Sequence, residues 1–141
     1  MVSASKMKKA QDLALNGQPY SEQLRRVLIA LLSTASNFEH YLLKPNESAD
    51  SILCIFVTTN KGLCGGLNTN HFRRLNAWKA GTTNIDFITL GKKGLTYLAA
   101  VHGNVIADYS QLPDPIDFSD IVPVVKQIMD LYKQQKYQKI L

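Results

Sequence analysis

A glycine-rich stretch at residues 58–68 carries the residue types that most suggest binding chemistry; it reads TTNKGLCGGLN. It follows an apolar run, at the place where nucleotide-binding α/β proteins carry the turn that cradles phosphate. The spacing fits neither GxGxxG nor GxxxxGK[ST], because Leu67 rather than lysine follows Gly66. We therefore predict a protein-contact loop that carries Lys61 outward on a stiff turn. Two alternatives stay open: a turn whose glycines only permit positive φ, and a phosphate site.

Other residues that could do chemistry lack partners at useful spacing. His40, His71 and His102 have no carboxylate or cysteine at metal-ligand spacing, which favours surface or capping roles. An acidic stretch could be interpreted as a metal site, but its interleaved prolines favour turns and caps; it contains Asp108, Asp114, Asp117 and Asp120. Cys64 could be a reactive thiol near a helix N-terminus, although no base stands close to it in sequence. We predict no catalytic residue, no cofactor and no metal.

Composition sets outer limits on function. A chain of 141 residues has room for one modest domain and an extension. Its net charge of +5 permits an acidic partner without requiring one. Most of the basic excess lies early, in Lys6, Lys8, Lys9, Arg25 and Arg26. The three lysines form either a solvated face or a face that fits an acidic partner. Nucleic acid is not favoured, because no aromatic side chains interleave the lysines.

The cysteine count and the hydropathy pattern exclude several protein classes. No apolar run reaches the roughly 18–20 residues of a membrane-spanning helix, so we predict no direct membrane span. A lysine cluster leads into a polar stretch, which is not typical of a secretion signal. Cys54 and Cys64 are too few and too far apart for a zinc ribbon or a redox pair. We expect free thiols in a reducing compartment.

A heptad pattern occupies the first forty residues. Apolar or small residues recur at alternating spacings of four and three, which is typical of a coiled-coil seam. The seam positions are Met7, Ala10, Ala14, Leu24, Leu28, Leu31, Ala35, Phe38 and Leu42. We predict one helix over residues 2–43, kinked at Pro19; a helical hairpin broken at Gly17 is the alternative. Residues 1–44 would form half of an antiparallel coiled-coil stalk, since no later helix is long enough to pair with it.

The remainder alternates strand and helix, which predicts a Rossmann-like α/β domain over residues 49–141. After a turn-rich linker, we expect a buried strand at 52–58, a helix at 68–80 and a second strand at 85–90. Next come a short helix at 95–101, a third strand at 105–109, and a helix that Ser119 or Asp120 caps and that ends near Tyr137. Residues 139–141 begin a fourth strand. The predicted fold class is α/β, with a doubly wound, mainly parallel sheet that is incomplete at its C-terminal end.

Two segments carry a family resemblance. Residues 1–11, MVSASKMKKAQ, closely resemble part of the N-terminal helix of the gamma subunit of F-type ATP synthase. Residues 59–68 resemble the GLCGGLN stretch of the same family. In that family the N- and C-terminal helices wind together as the central rotor shaft, and catalysis belongs to other subunits. The resemblance implies a non-catalytic rotor subunit that couples proton translocation to ATP synthesis mechanically, at the cytoplasmic face of the bacterial inner membrane.

The resemblance also implies partners and contact residues. The expected partners are the alpha and beta subunits of the catalytic ring, the epsilon subunit and the ring of c subunits. The expected contact residues are Lys6, Lys8, Lys9, Lys61, Gly62, Leu63, Cys64, Gly65, Gly66, Leu67 and Asn68. The family has residues before Met1 and a C-terminal helix after Leu141, so we expect a piece of a longer protein. The alternative is a stand-alone α/β module that binds a nucleotide or phosphometabolite and carries a helical arm.

Overall fold

A computed structural model of the chain describes residues 2–34, 40–44, 46–81, 84–113 and 115–141. The chain divides into two units, Met1–His40 and Tyr41–Leu141. Within the described residues, the first unit holds one long helix, and the second holds three further helices and four strands.

Helix α1 spans Val2–Thr34 without interruption. It passes through Gly17 and Pro19, so the hairpin alternative is wrong. The proline removes one backbone hydrogen bond, the bond that its N–H would have donated to the carbonyl of Leu15. Four leucines and two arginines lie in the turns after Pro19, and their high helix propensity favours continuation of the helix. At 1.5 Å per residue, α1 is about 50 Å long.

The prediction of helix as far as residue 43 is wrong. Tyr41, Leu42 and Leu43 form a turn that belongs to the second unit. Leu42 is therefore not a seam position of α1. The heptad spacing continues to this residue, but spacing alone does not show where a helix ends. Ala35 and Phe38 lie outside the described residues.

The second unit is built on a four-stranded parallel sheet. Its strands are β1 (Ile52–Val57), β2 (Ile85–Leu90), β3 (Asn104–Asp108) and β4 (Lys139–Ile140), in the order β3-β2-β1-β4. Ile52 pairs with Ile85, and Leu53 pairs with Ile140 on the other side of β1. The chain thus moves outward from β1 to β3 and then returns past β1, which is the doubly wound pattern. The predicted α/β fold class is confirmed.

Two hydrophobic clusters lie on opposite faces of this sheet, because successive strand residues point to opposite sides. The first joins Cys54, Phe56 and Phe87 to helices α2 (Leu67–Lys79) and α3 (Lys92–Ala100). The second joins Leu53, Ile88 and Tyr137 to helix α4 (Phe118–Lys133). β1 and β2 are therefore buried on both faces, which explains their near-continuous apolar runs.

The boundaries of α3 and α4 differ from the prediction. α3 begins at Lys92 rather than at residue 95, because Gly94 lies inside the helix, where it passes close to the end of β1. α4 is capped by Asp117 rather than by Ser119 or Asp120, and it ends at Lys133. Gln135 takes a left-handed φ of 55° just beyond that end, and Tyr137 is fully buried under the sheet.

Candidate functional site

The glycine-rich loop connects the end of β1 at Val57 to the start of α2 at Leu67. Two of its residues adopt left-handed backbone, Leu63 with φ 59° and Gly65 with φ 60°. Leu63 is fully exposed at a φ that L-residues rarely adopt, so the loop presents an apolar side chain directly to solvent. Lys61, Gly62 and Gly66 are also exposed.

Asn68 holds the loop closed from within the first turn of α2. Its amide nitrogen donates to Thr59 Oγ1 at 2.7 Å and to Cys64 Sγ at 3.1 Å. Its amide oxygen accepts from the backbone N–H of Thr59 at 3.4 Å. Asn68 is only 9% exposed, so it positions the loop and presents almost no surface to a partner. Cys64 is half-buried and belongs to the same network.

The N-terminus of α3 is tied to the same loop. The backbone N–H of Lys92 donates to Asn60 Oδ1 at 3.1 Å, and that of Lys93 donates to the Thr59 carbonyl at 3.1 Å. The N–H of Gly94 donates to Thr58 Oγ1 at 2.7 Å. The first N–H groups of a helix are the donors that an anion would use. At α3 they are already bonded to the protein itself.

Gly91 makes this junction possible. It precedes α3 with φ 103°, and a Cβ at this position would lie 2.1 Å from the carbonyl oxygen of Thr58. Only glycine permits both this conformation and this approach of backbone to backbone. Sequence reasoning placed Gly91 in a turn, but the contact with Thr58 depends on the parallel pairing of β1 and β2.

Besides Lys61, which sequence reasoning found, two lysines at the start of α3 adjoin the loop, Lys92 by its backbone and Lys93 also by its side chain. Lys92 and Lys93 open α3, and the side chain of Lys93 passes within about 4 Å of where a Cβ on Gly62 would lie. The loop thus presents Lys61 and an exposed leucine on a hydrogen-bonded turn, with the side chain of Lys93 beside it. The paired lysines between Gly91 and Gly94 were the signal that could have been used, because loops after neighbouring parallel strands meet at one edge of the sheet.

The acidic stretch has structural roles. Asp117 and Asp120 form a capping box at the start of α4, as the turn-and-cap prediction required. Asp108 accepts from Thr89 Oγ1 at 2.8 Å and from Ser110 Oγ at 2.8 Å. Burial alone would raise the pKa of Asp108, but these bonds and the charge of Lys92 outweigh burial and lower it. Asp114 lies outside the described residues.

Metal-binding and thiol chemistry find little support in the described part of the chain. No group of three or more His, Cys, Asp or Glu side chains within it could hold a metal ion. His71 and His102 are exposed. Both cysteines are free thiols, and burial raises the pKa of Cys54 to about 11.

The stalk residues lie in the first unit, on α1. Every described side chain at residues 4–34 is exposed. The seam residues Met7, Leu24, Leu28 and Leu31 are 70%, 52%, 49% and 54% exposed. Lys6, Lys8, Lys9, Ala10 and Ala14 are exposed on the same helix. Of the helices in the described residues, not one is long and apolar enough to span a lipid bilayer.

Known proteins match the whole of this chain. A protein-family model described as ATP synthase covers residues 1–141. The chain belongs to the ATP synthase family. It is 35% identical over 144 residues to the ATP synthase gamma chain of Coxiella burnetii (strain Dugway 5J108-111), covering 99% of this chain and 50% of that protein. The Nitrosospira multiformis gamma chain is 33% identical, with coverage of 99% and 49%.

These matches confirm the resemblance to the gamma subunit within the ATP synthase family. The chain spans about half the length of the curated relatives it matches. The chain also matches a chain in the cryo-EM structure of the rotor of the Euglena gracilis mitochondrial ATP synthase. The match covers 90% of this chain and 50% of the rotor chain, at 20% identity and a TM-score of 0.45. That structural likeness is too weak to carry an argument.

Proposed function

We propose that this chain forms part of the central rotor of an ATP synthase and is not itself catalytic. α1 would be one strand of a coiled-coil shaft inside the ring of alpha and beta subunits. The sheet unit would lie toward the epsilon subunit and the ring of c subunits, at the cytoplasmic face of a bacterial inner membrane. An asymmetric shaft contacts the surrounding subunits unequally, so each catalytic site experiences a different conformational bias. Proton translocation would thereby be coupled mechanically to ATP synthesis.

The single observation that carries this proposal is the exposed seam of α1. A surface helix of a globular protein buries its apolar stripe, and an isolated helix gains little stability from propensity alone. In α1, leucines at heptad positions are about half exposed along a helix of 33 residues. Such a helix is suited to pairing with another helix, and the gamma-chain relatives make the rotor shaft the natural place for that pairing.

The glycine-rich loop is proposed as a second contact surface. Lys61 and Leu63 would meet a neighbouring subunit, with the glycines between Lys61 and Leu67 allowing close approach. The internal bonds of Asn68 keep the turn stiff, so little conformational entropy is lost when a partner binds. Lys6, Lys8 and Lys9 would face acidic surface on the catalytic ring.

A nucleotide-binding module is the weaker candidate, because the loop between β1 and α2 has neither GxGxxG nor GxxxxGK[ST] spacing, and Leu67 rather than lysine follows Gly66. We expect the isolated chain to hydrolyse no ATP and to bind no ATP at micromolar concentration. Isothermal calorimetry with Mg-ATP measures this directly. Saturable binding that a Lys93→Ala variant weakens would overturn the rotor proposal in favour of the nucleotide module.

Binding to the catalytic ring tests the rotor role. The chain would be titrated against a purified ring of ATP synthase alpha and beta subunits at low salt. We expect saturable binding, weakened at least tenfold when Lys6, Lys8 and Lys9 are all replaced by glutamate. Arg74→Glu/Lys136→Glu/Lys139→Glu, at three exposed positions of the sheet unit, is the matched charge control and should leave the affinity unchanged. Absence of binding, or equal loss in the control, would contradict the proposal.

A further inference from the structure

The outer face of α4 carries an apolar groove outside the sites described above. The groove has a volume of about 430 Å³. Its floor is formed by Phe118, Val122, Val125 and Met129, of which the first three are 81%, 45% and 45% exposed. A neighbouring side of α4 packs on the sheet cluster through Ile128 and Leu131, and Val124 on that side is buried. α4 is thus apolar on two sides, and the second cluster explains only one of them.

The groove residues follow a coiled-coil pattern. Phe118, Val122, Val125 and Met129 are spaced four, three and four apart, which matches alternating d and a positions of a heptad. Ile121 then takes a g position and also lines the groove. Lys126 and Lys133 both take e positions, directly beside the stripe. A stripe with this spacing fits the side chains of one more helix.

The charges beside the stripe restrict what that helix can be. Lys126 and Lys133 are seven residues apart, about 10 Å along the helix axis, and both are exposed. The Lys133 side chain lines the groove, and its ammonium group stands 5.1 Å from the centre of the Tyr41 ring. Asp130 also borders the groove, but it takes a b position, which lies further around the helix from the stripe than an e position does. The near edge is therefore cationic.

A second copy of this chain is a poor occupant. Two α4 helices packed antiparallel would bring e-position lysines against each other, and like charges there are repulsive. A parallel pair would set each Lys126 against Ile121 of the other copy. The α1 helix of another copy carries five basic and two acidic side chains, so it does not complement the lysines either.

We propose that the α4 groove docks an amphipathic helix of another protein that has an apolar heptad stripe and carboxylates seven residues apart beside it. The carboxylates lie against Lys126 and Lys133, while apolar side chains fill the space over Val122 and Val125. This surface is separate from both the α1 seam and the glycine-rich loop.

The test uses two synthetic helical peptides of three heptads, with leucine at a and d and either glutamate or lysine at e and g. Binding of each labelled peptide to the full chain is followed by fluorescence anisotropy. We expect the glutamate peptide to bind at least tenfold more tightly than the lysine peptide. Val125→Asp should weaken it at least tenfold, which distinguishes α4 from the exposed seam of α1. Val101→Asp, at an exposed valine beyond α3, is the matched control.

The charge-swap variant Lys126→Glu/Lys133→Glu decides the proposal even if Val125→Asp perturbs folding, because both lysines are exposed. We expect it to reverse the preference, so that the lysine peptide binds better. Equal affinity for both peptides, or an unchanged preference in the charge-swap variant, would overturn the proposal. Sedimentation that shows a dimer of the wild-type chain, lost in Val125→Asp, would assign the groove to a second copy instead.

Discussion

The two units of this chain differ in how far their apolar residues are buried. In the sheet unit, Leu53, Phe87 and Ile88 are at most 1% exposed and lie between helices on both faces. In α1, Leu24, Leu28 and Leu31 recur just as regularly but remain about half exposed. The sheet unit therefore supplies its own core, whereas the leucine stripe of α1 stays exposed within the described residues.

The difference shows that a heptad pattern and a buried-strand pattern specify different kinds of stability. Strand residues gain burial from neighbours within the same chain as soon as the sheet forms. Seam residues gain it only on association, so their contribution depends on partner concentration. Substitutions that are alike in chemistry should consequently differ in effect between the two units.

The largest difference is expected for truncation of a core aromatic. Phe87→Ala should lower the free energy of unfolding of the sheet unit by ~3–5 kcal/mol, because Phe87 is buried beside Phe56 and its removal leaves a cavity. Leu28→Ala on α1 should cost less than about 0.5 kcal/mol in the isolated chain. Urea denaturation measures the first loss by fluorescence of Trp78, which packs against the first cluster, and the second by circular dichroism of the helical signal. Similar losses would mean that the α1 seam is buried in solution.

Substitution of Gly91, between the glycine-rich loop and α3, should destabilise the sheet unit almost as much as Phe87→Ala. Gly91→Ala should destabilise the sheet unit by about 2–4 kcal/mol, from left-handed backbone strain and the clash with the Thr58 carbonyl. Gly81→Ala, where an added Cβ would meet nothing within 4 Å, is the control and should have little effect. The same denaturation curves report both variants. Normal stability of Gly91→Ala would show that the loop and α3 are not joined as described.

The buried thiol should make the stability of the sheet unit depend on alkaline pH. Burial raises the pKa of Cys54 from 9.0 to about 11. The unfolded chain therefore loses this proton first, and the stability from the neutral thiol, complete below pH 9, declines as pH rises toward 11. The loss is of order 2 kcal/mol. Urea midpoints are measured at pH 8 and pH 10.5 under reducing conditions. The midpoint should fall less between these pH values in Cys54→Ala than in wild type. An equal pH dependence in both proteins would refute this assignment.

The smallest effect has the opposite sign. Gly17→Ala should stabilise α1 by ~0.5–1 kcal/mol, because glycine is costly inside a helix. An added Cβ at Gly17 meets nothing within 4 Å. Helicity by circular dichroism should rise, while the Trp78 unfolding midpoint should stay the same. A shifted midpoint would show that the two units fold as one.

Local pattern was sufficient for the order of elements. Apolar runs predicted the strands, and the glycine-rich turn was placed correctly between β1 and α2. Helix ends were harder, because neither Gln135 nor Gly94 behaves as its residue type suggests. Gln135 ends a helix in a conformation usually taken by glycine, and Gly94 lies inside one. Both depend on what the neighbouring strands and loops leave room for.

The glycine-rich loop also has some features that the local sequence predicts and others that depend on tertiary contacts. Its position and its exposed Lys61 were visible in the sequence, and the absence of a phosphate motif was readable from spacing. Its rigidity was not, because Asn68 contacts Thr59 only when the loop folds back on α2. Lys92 and Lys93 join it only through the pairing of β1 with β2.

By itself, the sequence of this chain determined a long heptad helix, an alternating α/β segment, and the family to which both belong. These depend on periodicity and short motifs, which are local properties of the chain. Tertiary structure alone decided which N–H groups remain open to a ligand, which asparagine is structural, and which second face of α4 stays uncovered. Such properties arise from contacts between residues distant in sequence, and hydrophobic pattern does not record what a folded neighbour has already occupied.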